Sequence, residues 1–129
     1  MVKVIIADDS TPIRERIIKL LSSVSNVEIA GEAIDGIEAA VMVRKTKPDV
    51  VILDLQMPKL SGLEILPRLK ELVPSPVVVV LTNFSTGPLK AMCIRKGADF
   101  FFDKSTEFEK AVAVVEGMAD AHASVANNG

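Results

Sequence analysis

Asp49-Val50-Val51-Ile52-Leu53-Asp54-Leu55-Gln56-Met57-Pro58 is the stretch from which the fold can be read. Four apolar residues stand together, then a carboxylate, then a proline four residues on. Val50, Val51 and Ile52 are β-branched, which suits a strand. The run is apolar at consecutive positions rather than alternate ones, which suits a strand covered on both faces. A strand of that kind belongs to a parallel sheet flanked by helices, and it puts Asp54 at its carboxyl end.

Working outward, four more runs repeat the pattern: Val2–Ala7, Val27–Ala33, Val77–Leu81 and Asp99–Phe102, with the central strand taken as Asp49–Leu53. Amphipathic segments lie between them. Thr11-Pro12 reads as a cap followed by proline at the first helical position. Ile13, Ile17, Leu20, Leu21 and Val24 then form one stripe at helical spacing. Asp35 with Glu38, Ser61 with Glu64, and Thr106 with Glu109 make capping-box patterns for the second, third and fifth helices. Phe108, Val112, Val115 and Ala119 form the buried stripe of the fifth. The fourth helix, roughly residues 88–96, has the weakest pattern, with Leu89, Met92 and Cys93 on one face. Pro67 falls inside the third helix, where it should kink or shorten it.

Alternating strands and helices predict an α/β fold: a five-stranded parallel sheet in a flavodoxin-like (βα)5 three-layer sandwich, strand order 2-1-3-4-5. The chain has 129 residues, enough for one domain able to bury roughly two thirds of its unfolded surface. We expect one folded domain over residues 1–121 and a short frayed tail over 122–129, with His122 a solvated residue there. The net charge is -2, and no Lys/Arg cluster offers a nucleic-acid surface. Cys93 is the lone cysteine, so no internal disulfide can form, and it reads as a small buried hydrophobe. No apolar run approaches the ~20 residues of a membrane span. The expected setting is cytoplasmic, with neither membrane nor nucleic acid as a direct partner.

The informative residues lie at the strand ends. The first strand runs into Asp8 and Asp9, the third into Asp54, the fourth into Thr82, and the fifth ends beside Lys104. In the order 2-1-3-4-5 these five gather on one rim, where open α/β sheets bind ligands. Any one of them alone has a plainer reading: adjacent aspartates cap helices, and a lone Lys is a surface residue. Together, three converging carboxylates repel one another and call for a cation. With no His or Cys nearby, Mg²⁺ fits better than Zn²⁺. Mg²⁺, one lysine and one hydroxyl would neutralise a phosphoryl group, whose transfer depends on positioning and charge. Asp54, ending a central strand, is the best nucleophile. Asp8 and Asp9, side by side, suit a metal-holding pair.

The segments Val4–Asp9, Asp35–Ala39, Asp49–Pro58, Ser61–Glu64, Leu81-Thr82 and Gly97–Lys104 resemble the response-regulator receiver family, over about residues 2–120. The resemblance implies that Asp54 takes a phosphoryl group from a phosphohistidine on a histidine kinase or a histidine phosphotransfer protein. Asp9 would ligate Mg²⁺ directly, Asp8 mainly through water, and the backbone carbonyl of Gln56 would be a further ligand beside Asp54. Thr82 would donate its hydroxyl to the phosphoryl group and Lys104 would pair with it. Phe102 would be the switch aromatic, turning inward as Thr82 moves. The face of the fourth helix, fifth strand and fifth helix would be read by a downstream target protein. Activity would be confined to self-phosphorylation and autodephosphorylation, with no separate metabolite turned over.

Some positions depart from the family. Ser105 follows Lys104 where many members carry proline, so a cis peptide is not expected there. Asn83 replaces a smaller residue and could narrow access to Asp54. Gln56 and Phe84 flank the path of the attacking water. A small aspartyl phosphatase would need an acid two residues after Asp54, where Gln56 stands. A flavin site would need a Ser/Thr/Gly-rich loop where Asp8 and Asp9 stand. A degenerate receiver kept as a binding module fits poorly with five intact site residues. A single-domain regulator or phosphorelay shuttle is preferred over the receiver part of a longer regulator.

Overall fold

The computed structural model describes residues 1–83 and 85–128, with side chains through residue 121. Phe84 and the side chain of His122, both singled out above, lie outside the described residues. Ten elements alternate: β1 (Val2–Ala7), α1 (Thr11–Leu21), β2 (Val27–Ala33), α2 (Gly36–Thr46), β3 (Val50–Leu53), α3 (Gly62–Lys70), β4 (Val77–Thr82), α4 (Gly87–Arg95), β5 (Phe100–Asp103) and α5 (Phe108–Asn128). All strand pairs are parallel, in the order β2-β1-β3-β4-β5. This is the predicted flavodoxin-like sheet. The ends of β3, β4 and β5 differ from the expected ones by one residue.

Alternation along the strands sorts the core into two layers. Val51, Leu53, Val78, Val80 and Phe101 pack with Val43 of α2, Ile65, Leu66 and Leu69 of α3, and Cys93 of α4. Val50, Ile52, Val79 and Leu81 pack with Ile17 and Leu21 of α1 and with Phe108, Val112, Val115 and Ala119 of α5. The predicted α5 stripe is buried along its length. In α4 only Cys93 is buried, and Met92 is 36% exposed.

The helix starts show where local chemistry differs from the pattern. Ser10, not Thr11, caps α1, its hydroxyl accepting the Ile13 N–H at 3.4 Å. Pro12 therefore falls at the second helical position. Within α1 the buried positions are Arg14, Ile17 and Leu21, and Leu20 faces solvent. Asp35 caps α2 through the Glu38 N–H at 2.7 Å. Ser61 and Glu64 form the expected reciprocal capping box of α3. Before α5 the turn is built by Asp103 rather than by Thr106. Its Oδ1 accepts the N–H groups of Ser105 and Thr106 at 2.7 and 3.3 Å.

Pro67 does lie inside α3, which nonetheless runs to Lys70. An interior proline costs about 3 kcal/mol. Burial of Ile65, Leu66 and Leu69 contributes roughly 1.5–3 kcal/mol per side chain, more than enough to hold the helix on the sheet. Among the described residues the only cis peptide is Val73-Pro74, so the Lys104-Ser105 bond is trans. No helix among the described residues is long and apolar enough to cross a membrane.

Candidate functional site

Register brings the predicted residues together. Ala7 pairs with Leu53, and the Asp54 N–H donates to the Ala7 carbonyl at 2.9 Å. Asp8 and Asp54 thus leave neighbouring strands side by side. On the other flank Thr82 pairs with Asp103, and the Lys104 N–H donates to the Thr82 carbonyl at 3.0 Å. This delivers the Lys104 side chain to the same rim.

The Lys104 ammonium lies 2.6 Å from Asp8 Oδ2 and 3.0 Å from Asp54 Oδ2. Asp8, Asp54 and Lys104 are 3%, 5% and 8% exposed. The Asp9 carboxylate is exposed, yet Asp8, Asp9 and Asp54 offer oxygen atoms within 4.8 Å of one another. Asp54 Oδ1 accepts the Gln56 N–H at 3.1 Å. Burial pushes the Asp54 carboxyl above its ordinary value against the pull of the Gln56 N–H and Lys104, and the Asp8 charge adds to the rise. Burial alone would lower the Lys104 ammonium, but its bonds to Asp8 and Asp54 outweigh this and raise it.

Thr82 Oγ1 is buried and has no hydrogen-bond partner among the described residues. A buried hydroxyl left unpaired costs about 1–3 kcal/mol, so the site holds a donor without an acceptor. The donor set of the pocket is oxygen only, which suits a hard cation such as Mg²⁺. The orphaned hydroxyl and the lysine suit an anion beside it. Of Gln56, the structure ties only the backbone N–H to the site. Phe102 is half-buried, its ring 6.0 Å from that of Phe100 and stacked on it, while Phe101 points to the opposite layer. Asn83 is exposed.

Three residues of the site were not predicted. Arg14 is buried, and its Nη1 donates to the Asp8 carbonyl at 2.7 Å. Its only sequence signal was a charge at a position, Arg14–Ile17–Leu21, on the buried stripe. Gly62 opens α3 against the backbone of Asp54: a Cβ there would meet the Asp54 carbonyl oxygen at 2.2 Å. A glycine directly after a capping serine was its signal. Asp103 bonds the hydroxyls of Ser85 and Ser105, tying the loop after β4 to the loop after β5. Those hydroxyls hold its carboxyl down at about 2.

Fold and site together define a doubly wound α/β protein with an acidic, lysine-bridged pocket at the switch point of its sheet. Residues 4–116 match the family described as response regulator receiver domain, and the chain belongs to that family. A transcriptional regulatory protein of Bacillus subtilis, YxjL, is 31% identical over 118 residues, 92% of this chain and 54% of its own length. A protein-glutamate methylesterase/protein-glutamine glutaminase of Methanospirillum hungatei is 38% identical over 106 residues, 81% of this chain and 31% of its own. The chain therefore spans about half, or less, of the length of these relatives. Among solved structures, the CheX-CheY-BeF3-Mg²⁺ complex from Borrelia burgdorferi contains a chain that is 26% identical. Its TM-score is 0.76, and the match covers 88% of this chain and 89% of that one.

Proposed function

We propose that this receiver domain is a phosphorylation switch in which Asp54 accepts a phosphoryl group from a phosphohistidine on a histidine kinase or a histidine phosphotransfer protein. The P–N bond to the donor imidazole breaks and a P–O bond to an Asp54 oxygen forms. Asp8, Asp9, Asp54 and the Gln56 carbonyl would hold Mg²⁺, which when bound neutralises phosphoryl oxygens. Lys104 adds a fixed charge, and the Thr82 hydroxyl finds in the phosphoryl group the acceptor it otherwise lacks. Movement of Thr82 would draw Phe102 inward and alter the face of α4, β5 and α5 toward a downstream target protein. Water attack on the aspartyl phosphate resets the switch. The setting would be cytoplasmic, beside the kinase.

The observation that carries the reading is the Lys104 ammonium bridging two nearly inaccessible carboxylates, with a third carboxylate beside them. The Mg²⁺ and phosphoryl-mimic contents named for the Borrelia burgdorferi complex support it. An aspartyl phosphatase reading is weaker because Gln56, two residues after Asp54, cannot act as a general acid. The test is labelling with acetyl phosphate and Mg²⁺, read by intact-mass spectrometry. The wild type should gain one phosphoryl group and Asp54→Asn none. Equal labelling of the two proteins would refute the assignment.

A further inference from the structure

Asp8 is held at every polar atom. Its N–H donates to the Ala33 carbonyl at 3.0 Å. Its Oδ1 accepts the Ser10 N–H at 2.8 Å, and its Oδ2 faces Lys104. Its carbonyl accepts the 2.7 Å bond from Arg14 Nη1. Asp9 is the opposite case. Its carboxylate is exposed and makes no hydrogen bond or ion pair among the described residues. Where that carboxylate stands is set by the backbone that carries it.

The Asp8 carbonyl belongs to the planar peptide joining Asp8 to Asp9. Six atoms of that unit, including the Asp9 Cα, move together. A bond that fixes the carbonyl therefore fixes the plane from which the Asp9 side chain departs. Arg14 can do this because its planar fork is itself anchored: Nε donates to Glu32 Oε1 at 3.0 Å and Nη2 to Thr11 Oγ1 at 3.1 Å. A guanidinium with several fixed bonds loses less freedom per bond than an ammonium would. Glu32 also balances the Arg14 charge, so a cation in the neighbouring pocket meets an ion pair rather than a bare positive group.

We infer that Arg14 is a positioning residue for the divalent-cation site, acting through the Asp8–Asp9 peptide to hold the Asp9 carboxylate where a cation can use it. The inference rests on the proposed function, since it takes Asp8 and Asp9 to be the metal-holding pair.

Calorimetric titration of the full chain with MgCl2, alongside thermal melts in EDTA, tests it. Arg14→Met should weaken Mg²⁺ binding about tenfold or more. Arg14→Lys, able to reach the carbonyl with a single donor, should fall between, about threefold weaker than wild type. Val115→Ala, which opens a cavity in the distant α5 layer, should lower the melting temperature and leave Mg²⁺ affinity at the wild-type value. A folded Arg14→Met protein with wild-type affinity would overturn the inference. So would a Val115→Ala protein that loses affinity in proportion to its stability, because loosening of the whole fold would then explain both. If Arg14→Met does not fold, Arg14→Lys at wild-type affinity overturns it. Absence of Mg²⁺ binding by the wild type would remove the metal site itself, and with it the proposed function, an outcome distinct from failure of the Arg14 variants alone.

Discussion

Replacing Lys104 by methionine removes the only cation, among the described residues, that is paired with the Asp8 and Asp54 carboxylates, and keeps much of the side-chain volume. At 2.6 and 3.0 Å, each attraction is on the order of 5 kcal/mol at an effective dielectric constant of about 20. Desolvation of the buried charges offsets most of that, so the gross figure is not the cost of the change. Removing one partner of a buried pair typically costs about 3–5 kcal/mol, because the other charge is left unpaired. Here the site lies at the rim and Asp9 is open to solvent, so screening brings the cost to or just below the bottom of that range, about 2–3 kcal/mol. For a domain of this size that is a fall in urea midpoint of about 1–2 M. Far-ultraviolet circular dichroism suits the measurement because the chain has no Trp or Tyr. In EDTA, Lys104→Met should unfold early. With Mg²⁺ present its midpoint should recover by more than the wild type gains, since a divalent cation restores the missing positive charge and no longer competes with an ammonium. The lysine's folded value is raised, so its stabilisation is fully present below 10.5, its ordinary value, and is lost as pH rises through the folded one. The deficit should therefore persist across neutral pH. Equal midpoints in EDTA, or a Mg²⁺ increment no larger than the wild type's, would refute the reasoning.

Thr82→Val removes an unpaired buried hydroxyl and should stabilise the unphosphorylated chain by about 1 kcal/mol, while weakening beryllofluoride binding followed by fluorine NMR. A destabilised variant with unchanged beryllofluoride affinity would contradict the role given to the hydroxyl. Gly62→Ala forces a methyl group toward the Asp54 carbonyl and should both destabilise the fold by about 2–4 kcal/mol and slow acetyl phosphate labelling at least tenfold. Wild-type stability and labelling rate would show that the loop has room. Asp103 has its carboxyl lowered from 3.8 to about 2, so its stabilisation is present above 3.8 and fades as pH falls toward 2. The urea-midpoint gap between wild type and Asp103→Asn should therefore be constant at neutral pH and narrow in acid; a gap independent of acid would count against the tie between the two loops.

What the sequence made legible was whatever side-chain type and spacing encode. Consecutive Val and Ile residues located the strands, the strand order followed from alternation, and the order in turn collected Asp8, Asp9, Asp54 and Lys104. The three phenylalanines also alternate as expected: Phe101 enters one layer and Phe102 packs against the other, with the exposed Phe100 stacked on Phe102. The residues that escaped act on backbone atoms. Arg14 bonds a carbonyl and Gly62 makes room for one, and neither partner leaves a mark in the sequence. A charged side chain is not counted toward an apolar stripe, so Arg14 is missing from one that includes the exposed Leu20. The α1 cap was misplaced by one residue because Ser10 and Thr11 are both good caps. Asp8 decides between them by drawing the Ser10 N–H into its own turn. Thr106 is not the residue next to the α5 start, which lies at Phe108: the turn before it is organised by Asp103, which accepts the Ser105 and Thr106 N–H groups.

The balance of charge in the pocket also sets an order of events on the proposed reading. Asp8, Asp9 and Asp54 bring three carboxylates against the one ammonium of Lys104. The Asp54 carboxyl is raised mainly by burial, against the pull of the Gln56 N–H and the lysine, and the Asp8 charge adds to the rise. An anionic phosphodonor approaching this surface meets net repulsion, and the nucleophile it must reach has its Oδ2 already bonded to Lys104. A divalent cation held by the three carboxylates would cancel that surplus of negative charge and free Lys104 to turn toward the incoming group. Phosphorylation should then require the cation before or together with the donor, and raising donor concentration alone should not replace it. Acetyl phosphate labelling in EDTA that reached the Mg²⁺ rate at high donor concentration would break this chain of reasoning at its first link, the surplus of negative charge around Asp54.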